Sequence, residues 1–224
     1  MKMEQWRTPE REYTITETTF TKSEIPEAEL MFNYAGEKIC PQWSRERLQN
    51  EAATLQFIAS ATTIPVPKFL DLYEENGVLH LKTEYVPGRM LDKIGSDVVT
   101  KHVINYVEST VLPQLRNLRR CTVGSVDETL PVIPPSRITY RDKRPIWPRR
   151  TSPTADFVFC HNDLAQHNIL VDPETMQVTA IIDWEFAGYY APEFEYPLWL
   201  KSVREQGDGR LQTDHLVKFL EGTG

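Results

Sequence analysis

Cysteine is scarce in this chain, and Cys40, Cys121 and Cys160 lie far apart with no C-x-x-C spacing. That excludes a disulfide scaffold and a zinc module built on paired cysteines. No stretch reaches the ~18 consecutive apolar residues of a membrane span. The opening MKMEQWRTPEREY also lacks the apolar run of a signal peptide. A cytoplasmic protein with no membrane partner is the expectation. Glycine is sparse, at 10 of 224 residues, and no G-x-G-x-x-G phosphate-cradling loop is present. Cations are the minority, with 25 Lys and Arg against 32 Asp and Glu and a net charge of −7. Such a chain lacks the basic footprint of a nucleic-acid binder.

Enough apolar residue is present, at 40%, for one large domain or two small lobes sharing a cleft. Charge reverses locally between Arg116 and Arg150. Arg116, Arg119, Arg120, Arg137, Arg141, Lys143, Arg144, Arg149 and Arg150 there face only Asp127, Glu128 and Asp142. Such a run reads first as a solvated basic loop, and second as a patch for an anionic ligand.

Residues 1 to 35 are polar and weakly patterned, and the Thr-rich stretch 14–21 suggests at most an edge strand. A helix is expected from Ser44, placed to cap free N–H groups, with Glu46 where the helix dipole favours an acid. Leu48, Ala52, Leu55 and Ile58 then form one apolar face, with Glu51 at its edge. Ile64-Pro65-Val66-Pro67 stops the helix. Phe69–Tyr73 and Val78–Val86 flank Glu74-Glu75-Asn76-Gly77, a strong hairpin signal. Pro87-Gly88 reads as a hinge, dividing 1–86 from 87–224. A long helix follows Asp97, kinked at Pro113, and then a Pro- and Arg-rich loop over residues 131–153. Phe157–Cys160 reads as a buried strand, and Asn168–Val171 and Val178–Ile182 as a second hairpin. Strands and helices segregate along the chain, which indicates an α+β fold.

The chemistry concentrates in His161-Asn162-Asp163-Leu164-Ala165-Gln166-His167-Asn168 and Ile181-Ile182-Asp183-Trp184-Glu185. An apolar strand delivers Asp163 to a loop, and the hairpin between Asn168 and Asp183 brings those two residues together beside it. Phosphoryl transfer needs these parts: a carboxylate to orient the attacking hydroxyl, and hard oxygen donors for Mg²⁺.

H-x-D-L-x-x-x-N followed by a strand and I-D-W-E resembles the aminoglycoside phosphotransferase family of kinase-like enzymes. The wording H-N-D-L-x-x-x-N-I-L-V-D-P is similar to a fungal-type branch. The resemblance spans residues 36–198, through the Glu51 helix and Thr83-Glu84-Tyr85-Val86-Pro87-Gly88. It implies a two-lobed protein-kinase-like fold, with a small strand-rich N-lobe, a larger helical C-lobe, and ATP and Mg²⁺ as cofactors. The reaction implied moves the γ-phosphoryl group of ATP to a hydroxyl of an aminoglycoside-, choline- or sugar-amine-like acceptor. Asp163 is then the base, His161 a brace for its loop, and Asn168 and Asp183 the metal ligands. Glu51 pairs with a phosphate-binding lysine, and Glu84 and Val86 lend backbone groups to adenine. Lys38, in Glu37-Lys38-Ile39-Cys40, is the lysine expected, with Lys22 and Arg45 as rivals. The absent glycine loop implies a phosphate cover that is missing or replaced by the Thr-rich residues 14–21. The chain stops about 40 residues beyond Asp183, which implies an acceptor pocket that is open, completed by a second chain, or without function.

Two other classes compete. A kinase fold that binds nucleotide without turnover fits the absent glycine loop, and ATP consumption separates it from an enzyme. A metal-dependent hydrolase could use His161, Asp163 and His167 as ligands, but leaves Asn168 and Asp183 without a purpose. Cys160 and the aromatic residues around Trp184 read as packing.

Overall fold

The computed structural model describes residues 3–201 and 213–222. Its first sheet is antiparallel and built from β1 (Glu4–Arg7), β2 (Glu12–Ile15), β3 (Thr19–Ser23), β4 (Phe69–Glu75) and β5 (Val78–Glu84), in the order β1-β2-β3-β5-β4. The N-terminal stretch thus supplies three strands where at most one edge strand was expected, and β3 lies inside the sheet. Thr, Tyr, Ile and Phe are good strand formers, and the alternation is hidden because Lys22 and Ser23, both polar, are buried on β3. The β4–β5 hairpin forms as expected, with Asn76 (φ 53°) and Gly77 (φ 79°) both left-handed, as a type I′ turn requires.

Helix α1 (Ser44–Ala61) packs on β4 and β5. Leu48 and Ala52 meet Leu79 and Leu81 of β5, whereas Leu55 and Ile58 enter the main core. Each buried leucine or isoleucine contributes roughly 1.5–3 kcal/mol, so α1 holds the two parts of the molecule together. Ser44 does not cap it. Trp43 occupies the cap position in a left-handed conformation with no side-chain cap bond. The Ser44 hydroxyl and carbonyl are instead taken by Arg11.

Beyond β6 (Arg89–Met90), the expected long helix runs as α2 (Asp97–Tyr106), a π-helical segment (Val107–Val111) and α3 (Leu112–Asn117). Proline explains the interruption: Pro113 has no N–H and crowds the carbonyl one turn back, so the helix widens ahead of it. The Leu112 N–H bonds to Val107 five residues earlier. Ser96 caps the run, accepting from the Val99 N–H.

The second part contains two small sheets. One joins β6 to the hairpin of β9 (Ile169–Val171) and β10 (Val178–Ile181). The other orders β7 (Arg119–Arg120), β8 (Phe157–Cys160) and β11 (Gly188–Tyr190) as β11-β8-β7. Residues 131–153 are irregular apart from the short α4 (Ser136–Thr139). The basic run is divided: Arg116, Arg119, Arg141 and Lys143 are exposed, as a solvated face would be, whereas Arg120, Arg137, Arg149 and Arg150 turn inward. Arg149 donates to the Val123 and Leu130 carbonyls, and Arg150 to that of Phe219 in the helix Asp214–Glu221. Arg120 stacks on Tyr189 at 4.3 Å. These guanidinium forks supply hydrogen bonds that an irregular backbone cannot make for itself.

Gly188 is required by a close approach. A β-carbon there would stand 2.6 Å from the Gly124 carbonyl oxygen, which is backbone and cannot turn aside. Gly188→Ala is expected to cost roughly 1–3 kcal/mol in chemical denaturation, as overpacking does.

Candidate active site

Strand β8 is buried along its whole length and ends directly at His161. The His161 ring is fully buried against Trp184, with Nε2 3.0 Å from the Ile182 carbonyl and Nδ1 accepting the Asp163 N–H at 3.2 Å. Both nitrogens are therefore engaged in the neutral ring, and none is left for a metal. Burial pushes its pKa down to about 4, against the pull of the Ile182 carbonyl. Asn162 adopts φ 70° and donates to the Phe186 carbonyl at 2.8 Å, turning the chain so that Asp163 follows. From behind, Glu195 accepts the His161 N–H and Arg137 donates to the Asn162 carbonyl at 2.7 Å.

Asn168 Nδ2 donates to the Asp163 carbonyl at 2.8 Å and to its carboxylate at 3.1 Å. Across the hairpin, the Ile182 N–H reaches the Asn168 carbonyl at 3.0 Å, setting Asp183 beside Asn168. Asp183 is left-handed, at φ 66°, a strained setting of the kind concentrated at functional sites. Trp184 below it is buried, and its indole N–H is satisfied by the Ile181 carbonyl at 2.8 Å.

Lys22 completes the group. Its Nζ donates to both Glu51 oxygens at 2.8 and 2.7 Å and to Asp183 Oδ1 at 2.7 Å. The expectation for Lys38 does not match this geometry. Lys38 sits in a small loop bridged to Phe32, outside the sheet, and its ammonium stands 3.4 Å from Glu27. Sheet register decides the matter, because β3 lies between β2 and β5 with Lys22 opposite Leu81. Arg45 is spent on Glu24 and Glu74. Residues 14–21 are the end of β2, a tight turn and the start of β3. The β1–β2 connection is Thr8-Pro9-Glu10-Arg11. Glu84 ends β5 on the surface; its N–H is taken by the Lys68 carbonyl, that of Tyr85 by Thr18, and Val86 is half-buried.

Electrostatics separate the two aspartates. Burial, with repulsion from Asp183, raises Asp163 to about 7 against the opposing Asn168 and Arg137. Burial would raise Asp183 too, but the Lys22 ammonium overrides it and holds that carboxylate well below its ordinary range. Two neighbouring carboxylates are thus pushed apart, one poised near neutrality and one permanently charged, the arrangement acid–base chemistry uses. Sequence reasoning missed Arg11, Arg47, Arg137 and Glu195. No local motif marks them, since each acts across more than 20 residues.

A model of the phosphotransferase enzyme family matches residues 105–220, just over half of the chain. The chain belongs to that family. It is 30% identical to streptomycin 3''-kinase of Streptomyces griseus over 168 residues, 65% of this chain and 62% of that enzyme. The chain thus matches less than two thirds of that relative's length. Aminoglycoside phosphotransferase APH(3'')-Id from Streptomyces rimosus superposes with a TM-score of 0.60 at 17% identity, covering 99% of this chain and 86% of that one. The GDP complex of aminoglycoside 2'-phosphotransferase-IIIa gives 0.57 at 14%, over 97% and 80%. At these identities the solved structures establish the kinase-like, two-lobed α+β fold. Among the described residues no helix is long and apolar enough to cross a membrane.

Proposed function

We propose that this protein uses ATP and Mg²⁺ to phosphorylate a hydroxyl group of a small, amine-bearing molecule of the aminoglycoside kind. The observation that carries this reading is the convergence of Asp163, Asn168 and Asp183 with the Lys22–Glu51 pair, brought from the far end of the sequence, in one cluster. Residues 1–86 are assigned by this reading to the small lobe and 87–224 to the large one. The donor set fits magnesium. Asp183 has Oδ1 on Lys22 but keeps its side chain 33% exposed, and Asn168 commits its nitrogen to Asp163, leaving the oxygen as a hard neutral ligand. Magnesium-bound ATP would supply the phosphoryl group and the cationic charge that offsets its oxygens.

The protein's own groups then divide the work. Asp163, poised near neutrality, accepts the acceptor hydroxyl's hydrogen bond and orients that oxygen. His161 holds the Asp163 N–H and so fixes the loop. Lys22, held extended by Glu51, presents a point charge to phosphate oxygens. Glu84 and Val86 lend backbone groups to the adenine of the nucleotide. An acceptor carrying amines suits a protein of net charge −7. Streptomycin 3''-kinase as a relative, and the complex of APH(4)-Ia with ADP and hygromycin B as a fold neighbour, point to the same class.

ATP consumption with and without a panel of aminoglycosides tests the reading. Binding of ATP with no turnover across the panel would favour a non-catalytic nucleotide-binding role. For the metal, Asp183→Ala is expected to abolish Mg²⁺-dependent thermal stabilisation by ATP, which in wild type is worth about 2.7 kcal/mol at 100 times Kd. Asn168→Ala should weaken that stabilisation without abolishing it, because it removes a neutral ligand. Equal loss in both variants would contradict these metal roles.

A further inference from the structure

One buried charge beside the site is unused by this mechanism. Glu185 lies two residues beyond Asp183, and its side chain is only 9% exposed. Two arginines from the first lobe grip it. Arg47 of α1 reaches Oε1 at 2.5 Å, and Arg11, from the β1–β2 connection, reaches Oε2 at 3.5 Å. Both guanidinium groups are buried. Arg47 also holds Glu10 at 2.7 Å and lies 4.8 Å over the Phe186 ring, while Arg11 donates to the Ser44 carbonyl at 2.7 Å. The backbone is held as well: Asn50 Nδ2 donates to the Glu185 carbonyl at 3.0 Å and the Ala187 carbonyl at 2.8 Å.

A buried ion triad is a poor device for cohesion alone, because apolar residues of similar volume are often as stabilising or more so. Its placement indicates a second use. Arg47 and Asn50 lie in the turn of α1 just before Glu51, so the contacts that hold Glu185 also fix the helix that directs Lys22. Carboxylate oxygens of Glu51, Asp183 and Glu185 all lie within 4.8 Å of one another. Glu185 thus already brings a third negative charge beside Glu51 and Asp183. The two arginines offset that charge where it stands and over-determine the left-handed turn at Asp183.

We propose that Glu185 is a positioning residue: gripped by Arg11 and Arg47, it locks the Glu51 helix and the β1–β2 connection to the Asp183 turn. The Lys22–Glu51–Asp183 chain is then assembled before nucleotide arrives, and α1 has no separate swung-out state. Only the benefit to nucleotide use rests on the phosphotransferase reading; the lock itself does not.

Hydrogen exchange of the nucleotide-free full chain, comparing wild type with Glu185→Gln, Arg47→Met and Arg47→Lys, tests the lock. Exchange in residues 44–61 and in 183–187 should rise together by about tenfold in Glu185→Gln and Arg47→Met, with partial rescue in Arg47→Lys, as coupled opening requires. Titration with Mg²⁺ and a non-hydrolysable ATP analogue should show Kd weakened about tenfold by each of Glu185→Gln and Arg47→Met, and no further in the double variant. Unchanged exchange in Glu185→Gln, or exchange raised in one segment alone, overturns the lock. Full additivity of the two changes does the same. Should Arg47→Met fail to fold, Glu185→Gln and Arg47→Lys carry the comparison. Should wild type bind no nucleotide, the phosphotransferase reading falls while the exchange result still decides the lock.

Discussion

Asp163→Asn is expected to lower turnover by about 10²-fold or more, the loss usual for a positioned base, while leaving Mg-ATP affinity nearly unchanged. Asparagine keeps the size and one oxygen but cannot take a proton. The carboxylate form is the working one, and burial raises its pKa to about 7. Wild-type kcat/KM should therefore rise with pH below about 7 and level off above it, and the variant should lose that limb. Stability should move the other way. A carboxyl whose folded pKa exceeds its unfolded value penalises the fold increasingly as pH climbs towards 7. Asp163→Asn removes the penalty, so the variant should melt above wild type at pH 8, with the gain shrinking at pH 5. An inactive variant that also loses ATP binding would show that Asp163 serves the nucleotide and not the acceptor. A wild-type profile flat between pH 5 and 8 would remove it as the base.

What was legible in the sequence is what local pattern encodes. Asn76-Gly77 specifies its own turn, and the apolar spacing of Leu48, Ala52, Leu55 and Ile58 specifies α1 and the face it buries. Phe157–Cys160 reads as a buried strand because nothing polar interrupts it. Asp163, Asn168 and Asp183 were readable as a set because one short hairpin brings them together, at spacings of five and fifteen residues. The three N-terminal strands of the first sheet were not legible, since β3, the sheet's central strand, ends in Lys22 and Ser23. A buried lysine breaks strand periodicity, and only partners 29 and 161 residues away explain why it is there. The same holds for the arginines of residues 116–150. Composition counts their charge, but whether a guanidinium meets solvent or a carbonyl depends on how an irregular loop folds back. Lys38 was favoured because Ile39 follows it, whereas β3 places Lys22 by register, a property of three strands at once.

Lys22→Met should be the most damaging single change in the protein. The ammonium is shared by Glu51, whose side chain is 4% exposed, and Asp183, and Lys22 itself is 10% exposed. Removing one partner of a buried charge cluster leaves the others uncompensated, at a cost of about 3–5 kcal/mol. Methionine retains the length of the stem, so lost packing contributes little. The penalty should shrink as pH falls, because burial already raises the Glu51 pKa and protonation then removes its charge. Lys22→Met with Glu51→Gln should recover part of that stability, since the stranded carboxylate is gone. The double variant should still show no Mg-ATP use, because no cation is restored to the phosphate position. Lys38→Ala serves as the contrast. Its ammonium faces Glu27, 88% exposed, at 3.4 Å, and the substitution should stay within about 0.5 kcal/mol of wild type. Urea denaturation at pH 6 and 8, run beside ATP-consumption assays, measures all four proteins. Nucleotide use lost in Lys38→Ala but kept in Lys22→Met would return the phosphate contact to Lys38. Recovery of ATP consumption in the double variant would show that Lys22 serves only to neutralise Glu51.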